Sequence, residues 1–161
     1  MGCRLTSLVG SLKIPLQDER NFNLLPDVRI CLHAYIEYMA EIRVLIVDDV
    51  ERVRQDLRTF LILNGEISII AEASNGLDAI HLAETLCPQV ILMDLEMPVL
   101  DGYEAIRQIK VSQPSCRIIA LTIHDGQAER EKAWQAGADD FIVKDSSLEG
   151  LIKSICISKG D

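Results

Sequence analysis

From Ile42 onward the chain alternates five times between a short apolar run and an amphipathic stretch, and this alternation constrains the fold most. The runs Ile42–Val47, Ile67–Ala73, Val90–Met93, Arg117–Leu121 and Phe141–Val143 predict strands. The stretches 51–63, 76–86, 102–111, 127–136 and 147–157 predict helices. In the first of these, Val53, Leu57, Phe60 and Leu61 share one face at helical spacing. Gly65, Pro88 and Gly137 are plausible helix stops, and Ser146 a plausible cap. Strands that alternate with helices predict a parallel sheet. Right-handed crossovers then cover both of its faces with helices. The strands are almost wholly apolar, as burial on both faces requires.

The preceding residues differ. Residues 1–41 carry no sustained period, are interrupted by Pro15 and Pro26, and have a net charge of −1, against −8 for residues 42–161. They are expected to be an extension outside the fold, with Met39 a possible start. The competing expectation is a short helix over 27–38 that packs Leu32, Tyr35 and Ile36. Met1-Gly2-Cys3-Arg4-Leu5-Thr6 matches a myristoylation pattern, but so short a motif often matches by chance.

Composition removes several function classes. The chain is 48% apolar, so wholesale disorder is excluded. No apolar run approaches the roughly 20 residues of a membrane helix. With 16 basic and 25 acidic residues, the chain is poorly suited to grip a nucleic-acid backbone by charge. Its five cysteines form no C-x-x-C pair, which argues for reduced thiols and a cytoplasmic setting.

Polar residues stand at the strand ends: Asp48-Asp49 after the first, Asp94 after the third, Thr122 after the fourth and Lys144 after the fifth. In a parallel sheet all of these ends lie on one edge, where ligands bind at the reversal of strand order. An order of 2-1-3-4-5 makes strands 1 and 3 neighbours and crowds Asp48, Asp49 and Asp94 together. Three carboxylates in one pocket repel unless a cation neutralises them. Mg²⁺ suits such a site, because it takes one or two carboxylates, keeps waters and accepts a phosphate oxygen. A lysine and a hydroxyl on the same spot suit an anion. Together these groups fit phosphoryl transfer onto a carboxylate.

Residues 42–158 resemble the receiver domain of two-component response regulators. The resemblance rests on Val47-Asp48-Asp49, Met93-Asp94-Leu95-Glu96-Met97-Pro98, Leu100-Asp101-Gly102, Leu121-Thr122 and Phe141-Ile142-Val143-Lys144. The spacings are 45 residues from Asp49 to Asp94, 28 on to Thr122 and 22 on to Lys144. The resemblance implies a flavodoxin-like, doubly wound (βα)5 fold with a five-stranded parallel sheet of order 2-1-3-4-5. It implies a phosphoacceptor switch in which Asp94 takes a phosphoryl group from a histidine kinase or phosphotransfer protein. Asp48, Asp49, Asp94 and the backbone carbonyl of Glu96 would hold Mg²⁺, one of the first two through water. Lys144 would pair with the phosphoryl oxygens, and Thr122 would swing its hydroxyl onto them. Phe141 would be the switch aromatic, although a plain core aromatic is the competing reading. Gly102 would be free to adopt positive φ. Output would pass through the fourth helix, fifth strand and fifth helix to a partner or a second copy of the chain. No turnover enzyme, membrane contact or direct nucleic-acid contact is implied.

Many relatives have proline after the lysine, joined by a cis bond, whereas Asp145 stands here. Either this bond is trans or it carries the roughly 3–4 kcal/mol of a non-proline cis bond. The Lys144-Asp145-Ser146-Ser147 run is similar to receivers that precede a LuxR-type helix-turn-helix; only four residues follow Ile157 here. A phosphohydrolase of haloacid-dehalogenase type is the alternative, but it wants D-x-D where Asp94 is followed by Glu96 two residues on. A flavodoxin-type cofactor binder would need a phosphate-cradling loop where Asp48-Asp49 stands. His124 could tune dephosphorylation or simply occupy an exposed loop. Trp134 could mark a partner surface or pack on the sheet.

Overall fold

The computed structural model describes residues 41–63, 67–145 and 148–157. The expectations for residues 1–40, for Gly65 and for Ser146 lie outside the described residues, as do residues 158–161. The elements are β1 (Ile42–Val47), α1 (Glu51–Ile62), β2 (Ile67–Ala73), α2 (Gly76–Leu86), β3 (Val90–Asp94), α3 (Gly102–Ser112), β4 (Arg117–Thr122), α4 (Gln127–Ala136), β5 (Asp140–Val143) and α5 (Leu148–Cys156). All strand pairs are parallel and the order is β2-β1-β3-β4-β5, as the sequence predicts.

Strand side chains alternate between faces and so build two cores. Leu45, Val47, Ile91, Met93, Ile118 and Ala120 pack with Ala79 and Ala83 of α2, Ala105, Ile106 and Ile109 of α3, and Ala133 of α4. The intervening residues Val44, Ile46, Val90, Leu92, Ile119 and Leu121 pack with Leu61 of α1 and Leu151 and Ile155 of α5. Each fully buried leucine or isoleucine contributes about 1.5–3 kcal/mol. On α1 only Leu61 is fully buried; Val53, Leu57 and Phe60 are half-covered.

Local chemistry sets the helix ends. Asn75 accepts a hydrogen bond from the Asp78 N–H and Asp101 from the Glu104 N–H, so each caps an orphan donor. Gly137 closes α4 at φ 106°, a left-handed conformation that glycine adopts without a Cβ clash. Cys87 closes α2 in the same region, at φ 46°. No cis peptide bond occurs among the described residues, so the Lys144–Asp145 bond is trans.

Candidate functional site

Each acidic group of the site is delivered by the end of a buried strand. Asp94 is the last residue of β3, in register with Leu121 of β4. Asp48 follows β1 and is fully buried. Its N–H donates to the Ala73 carbonyl, 3.1 Å away, which ties it to the end of β2. The Val50 N–H donates to Asp48 Oδ1 at 2.9 Å, and Lys144 Nζ donates to Oδ2 at 2.7 Å. Asp49 is exposed, and no hydrogen bond or ion pair engages its side chain among the described residues. One carboxylate oxygen from each of Asp48, Asp49 and Asp94 lies within 4.8 Å of the others.

Lys144 follows β5, and its N–H donates to the Thr122 carbonyl at 2.7 Å. Its ammonium also lies 3.0 Å from Asp94 Oδ2, so one cation bridges two of the three carboxylates. Burial pushes the Asp94 carboxyl above its ordinary value, while the hydrogen bond and charge of Lys144 restrain the rise. Burial disfavours the charged form of Lys144, but the hydrogen bonds it donates to Asp48 and Asp94, with their charges, outweigh it and raise its pKa. Lys144 therefore stands as a fixed cation.

One lysine does not balance three carboxylates. At an effective dielectric of about 20, unit charges about 5 Å apart repel by roughly 3 kcal/mol. A divalent cation with oxygen ligands relieves this, and Asp49 presents a carboxylate with no competing partner among the described residues. The donor set, carboxylate oxygens without thiol or imidazole, suits a hard cation.

Thr122, the last residue of β4, is buried, and its Oγ1 accepts a hydrogen bond from the His124 N–H at 3.1 Å. Phe141 is buried on β5, and the Arg130 guanidinium lies 4.7 Å from its ring centroid, within cation–π range. Asp125 holds that guanidinium at 2.7 Å. Glu96 is exposed; its N–H donates to Asp94 Oδ1 at 3.4 Å and its carboxylate lies 3.3 Å from His124 Nε2. Trp134 is exposed on α4. The sequence-predicted groups Asp48, Asp49, Asp94, Glu96, Thr122 and Lys144 thus meet at one edge of the sheet, with Phe141 three residues back along β5.

Gly102 corrects an expectation. It does not adopt positive φ; its importance is the space it leaves. A Cβ there would stand 2.0 Å from the Asp94 carbonyl oxygen, so only glycine lets α3 begin against the end of β3. The positive φ of this loop belongs to Val99, at 71°. With the Leu100 N–H donating to the Pro98 carbonyl at 2.9 Å, Val99 is the central residue of a tight γ-turn.

Reasoning from sequence missed Arg54 and Glu72. Arg54 donates to the Asp48 carbonyl at 2.7 Å, and its Nε lies 3.5 Å from Glu72 Oε2. A basic residue one turn into the helix after Asp48-Asp49 was the available signal; nothing in sequence ties it to β2.

The family model described as the response regulator receiver domain matches residues 44–156. The transcriptional regulatory protein LnrK of Bacillus subtilis is 36% identical over 114 residues, 71% of this chain and 52% of that protein. The nitrate/nitrite response regulator NarL of Escherichia coli is 32% identical, over 70% of this chain and 52% of its own length. The chain spans about half the length of the curated relatives it matches. Among solved structures, the response regulator domain of Thermotoga maritima CheB superposes with a TM-score of 0.69 at 33% identity, covering 75% of this chain and 98% of that one. The receiver domain of a NarL from Mycobacterium tuberculosis gives 0.72 at 29% identity, covering 76% and 99%.

Proposed function

Because the chain belongs to the response regulator receiver family of two-component signalling, we propose that it is a phosphoacceptor switch with Asp94 as the acceptor. The observation that carries this reading is the Asp48–Lys144–Asp94 bridge beside an unengaged Asp49. The domain is residues 42–158, with 1–41 an extension and 159–161 a tail. A histidine kinase or phosphotransfer protein donates the phosphoryl group. An Asp94 oxygen forms the new P–O bond, the P–N bond to the donor histidine breaks, and its electron pair stays on the imidazole.

Asp49, Asp94 and the Glu96 backbone carbonyl would hold Mg²⁺. Asp48, with both oxygens engaged, would act on it through water. When bound, Mg²⁺ neutralises the acidic pocket and the incoming phosphoryl oxygens. Lys144 carries its charge to the phosphoryl group, exchanging one carboxylate contact for another anion. Thr122 gives up the role of acceptor for His124 and donates its hydroxyl to the phosphate. Phe141 follows Thr122, and the α4-β5-α5 surface changes for a downstream partner or a second copy of the chain. The chain works in the cytoplasm as a signalling module and catalyses only its own phosphorylation and dephosphorylation. Among the described residues no helix is long and apolar enough to cross a membrane.

The test is intact mass after incubation with phosphoramidate and Mg²⁺. One phosphoryl group should add to the native chain and none to Asp94→Asn. Full labelling of the variant would remove Asp94 as acceptor.

A further inference from the structure

The two neighbouring carboxylates of the site are held in different ways. Asp48 is anchored at its N–H, its carbonyl and both carboxylate oxygens. The Asp49 side chain has no anchor among the described residues. Its direction is therefore set by the backbone on either side of it. On the Val50 side, the N–H is fixed by Asp48 Oδ1. On the Asp48 side, the peptide linking Asp48 to Asp49 is held, among the described residues, by the side chain of Arg54, whose guanidinium donates to the Asp48 carbonyl at 2.7 Å.

Arg54 is itself aimed. It lies on α1 with its side chain 15% exposed, and Glu72 near the end of β2 lies 3.5 Å from its Nε. Arg58, one turn on, lies 3.0 Å from the other Glu72 oxygen and makes no contact with the Asp48 carbonyl. Glu72 thus receives two arginines, of which only Arg54 reaches the site. The planar guanidinium can serve a carboxylate and a carbonyl at once, which a lysine ammonium on a flexible stem does less well.

We propose that Arg54, oriented by Glu72, is a positioning residue for the cation site. It fixes the Asp48–Asp49 peptide and so presents the Asp49 carboxylate to Mg²⁺. The inference rests on the phosphoacceptor reading, and the sign of the expected effect separates positioning from plain electrostatics. Arg54 is a cation close to an acidic pocket. If charge alone mattered, its removal would tighten Mg²⁺ binding. If it positions Asp49, its removal weakens binding.

The experiment uses the full 161-residue chain as native, Arg54→Ala, Glu72→Gln and Arg58→Ala forms. The initial rate of phosphorylation by phosphoramidate is followed against Mg²⁺ concentration. Arg54→Ala should raise the half-saturating Mg²⁺ about tenfold, the lower end of what removing a partner behind a metal ligand does, and leave the saturated rate unchanged. Glu72→Gln, nearly isosteric, should shift it in the same direction by less. It keeps the test open should Arg54→Ala fold poorly. Arg58→Ala should change neither quantity. An unchanged or lowered half-saturating concentration in Arg54→Ala, or an equal rise in Arg58→Ala, overturns the proposal. Calorimetric titration with Mg²⁺ alone reads the same shift without a phosphodonor. Failure of the native chain to accept a phosphoryl group would therefore count against the acceptor reading and leave the positioning result measurable.

Discussion

The two edges of the sheet solve opposite problems with the same kinds of side chain. At the edge where the strands begin, Arg43, Lys110 and Arg117 each have firm partners. Arg43 donates to the carbonyls of Leu86 and Cys87, and Lys110 to the Cys116 carbonyl and Asp139. Arg117 donates to the Ser154 carbonyl and lies 3.5 Å from Asp140. These contacts tie helix ends and loops to strands. At the edge where the strands end, two of three clustered carboxylates share one lysine and the third has no partner among the described residues. The first edge is arranged for stability. The second keeps like charges together and holds open a demand for a cation, a pattern expected where function costs stability.

If that contrast holds, substitutions at the two edges have opposite signs. The largest effect is expected from Lys110→Ala. It removes a charged donor from Cys116 and Asp139 and should cost about 2 kcal/mol in urea unfolding, with phosphorylation unchanged. Equal losses of stability and phosphorylation would merge the two edges into one cooperative unit.

Asp94→Asn should act the other way. In the unfolded chain this carboxyl titrates near 3.8, and burial in the fold holds its proton to higher pH. Between the two values the native state binds more protons, so native stability falls as pH rises through that interval. The asparagine variant lacks this slope. Its advantage should be absent at pH below the carboxylate range and present at neutral pH. Thermal melts of both proteins across pH check this; an advantage independent of pH would remove burial of charge as its cause.

Asp49→Ala should give a smaller gain without metal, because Asp49 is exposed and its repulsion is screened. Its sign should reverse in Mg²⁺, where the native chain gains a ligand that the variant has lost. Melting with and without Mg²⁺ measures both. The smallest effect is expected from Val99→Gly. A β-branched residue at φ 71° stores about 1–2 kcal/mol, part of which glycine returns through its freer unfolded chain. A net gain of roughly 0.5 kcal/mol in urea is expected. Destabilisation would mean that the exposed valine side chain makes contacts that outweigh the strain.

The fold was legible because burial on both faces makes each strand an uninterrupted apolar run. The strand boundaries moved only where polar residues belong to the strands. Asp94 and Thr122 close β3 and β4, and Asp140 opens β5. Composition alone assigns such residues to loops. The acidic pocket was legible for a topological reason: parallel strands collect their ends, so Asp48, Asp94, Thr122 and Lys144 were placed together before any distance was known. Arg54–Glu72, Arg130–Phe141 and Lys110–Asp139 were not legible. Each joins two elements through long side chains, and neither periodicity nor strand order encodes where those chains reach. Gly102 was read for the wrong property, since sequence signals a glycine but not whether φ or volume demands it.

The position of β3 has a consequence in hydrogen exchange. It is paired on both sides, with β1 and β4, whereas β5, of four residues, has one strand neighbour among the described residues. A phosphoryl group on Asp94, as proposed, would sit at the end of the central strand, which has a twice-paired strand on either side. On the proposed reading, displacement would pass sideways, two strands over, to an edge strand whose amides are expected to open at lower free energy. Amide exchange should rank β3 slowest and β5 fastest of these strands, and the gap should change most at the β5 end when Asp94 is modified. If the acceptor reading holds, the twice-paired centre would serve as the receiver's reference frame and the edge strand would register the change.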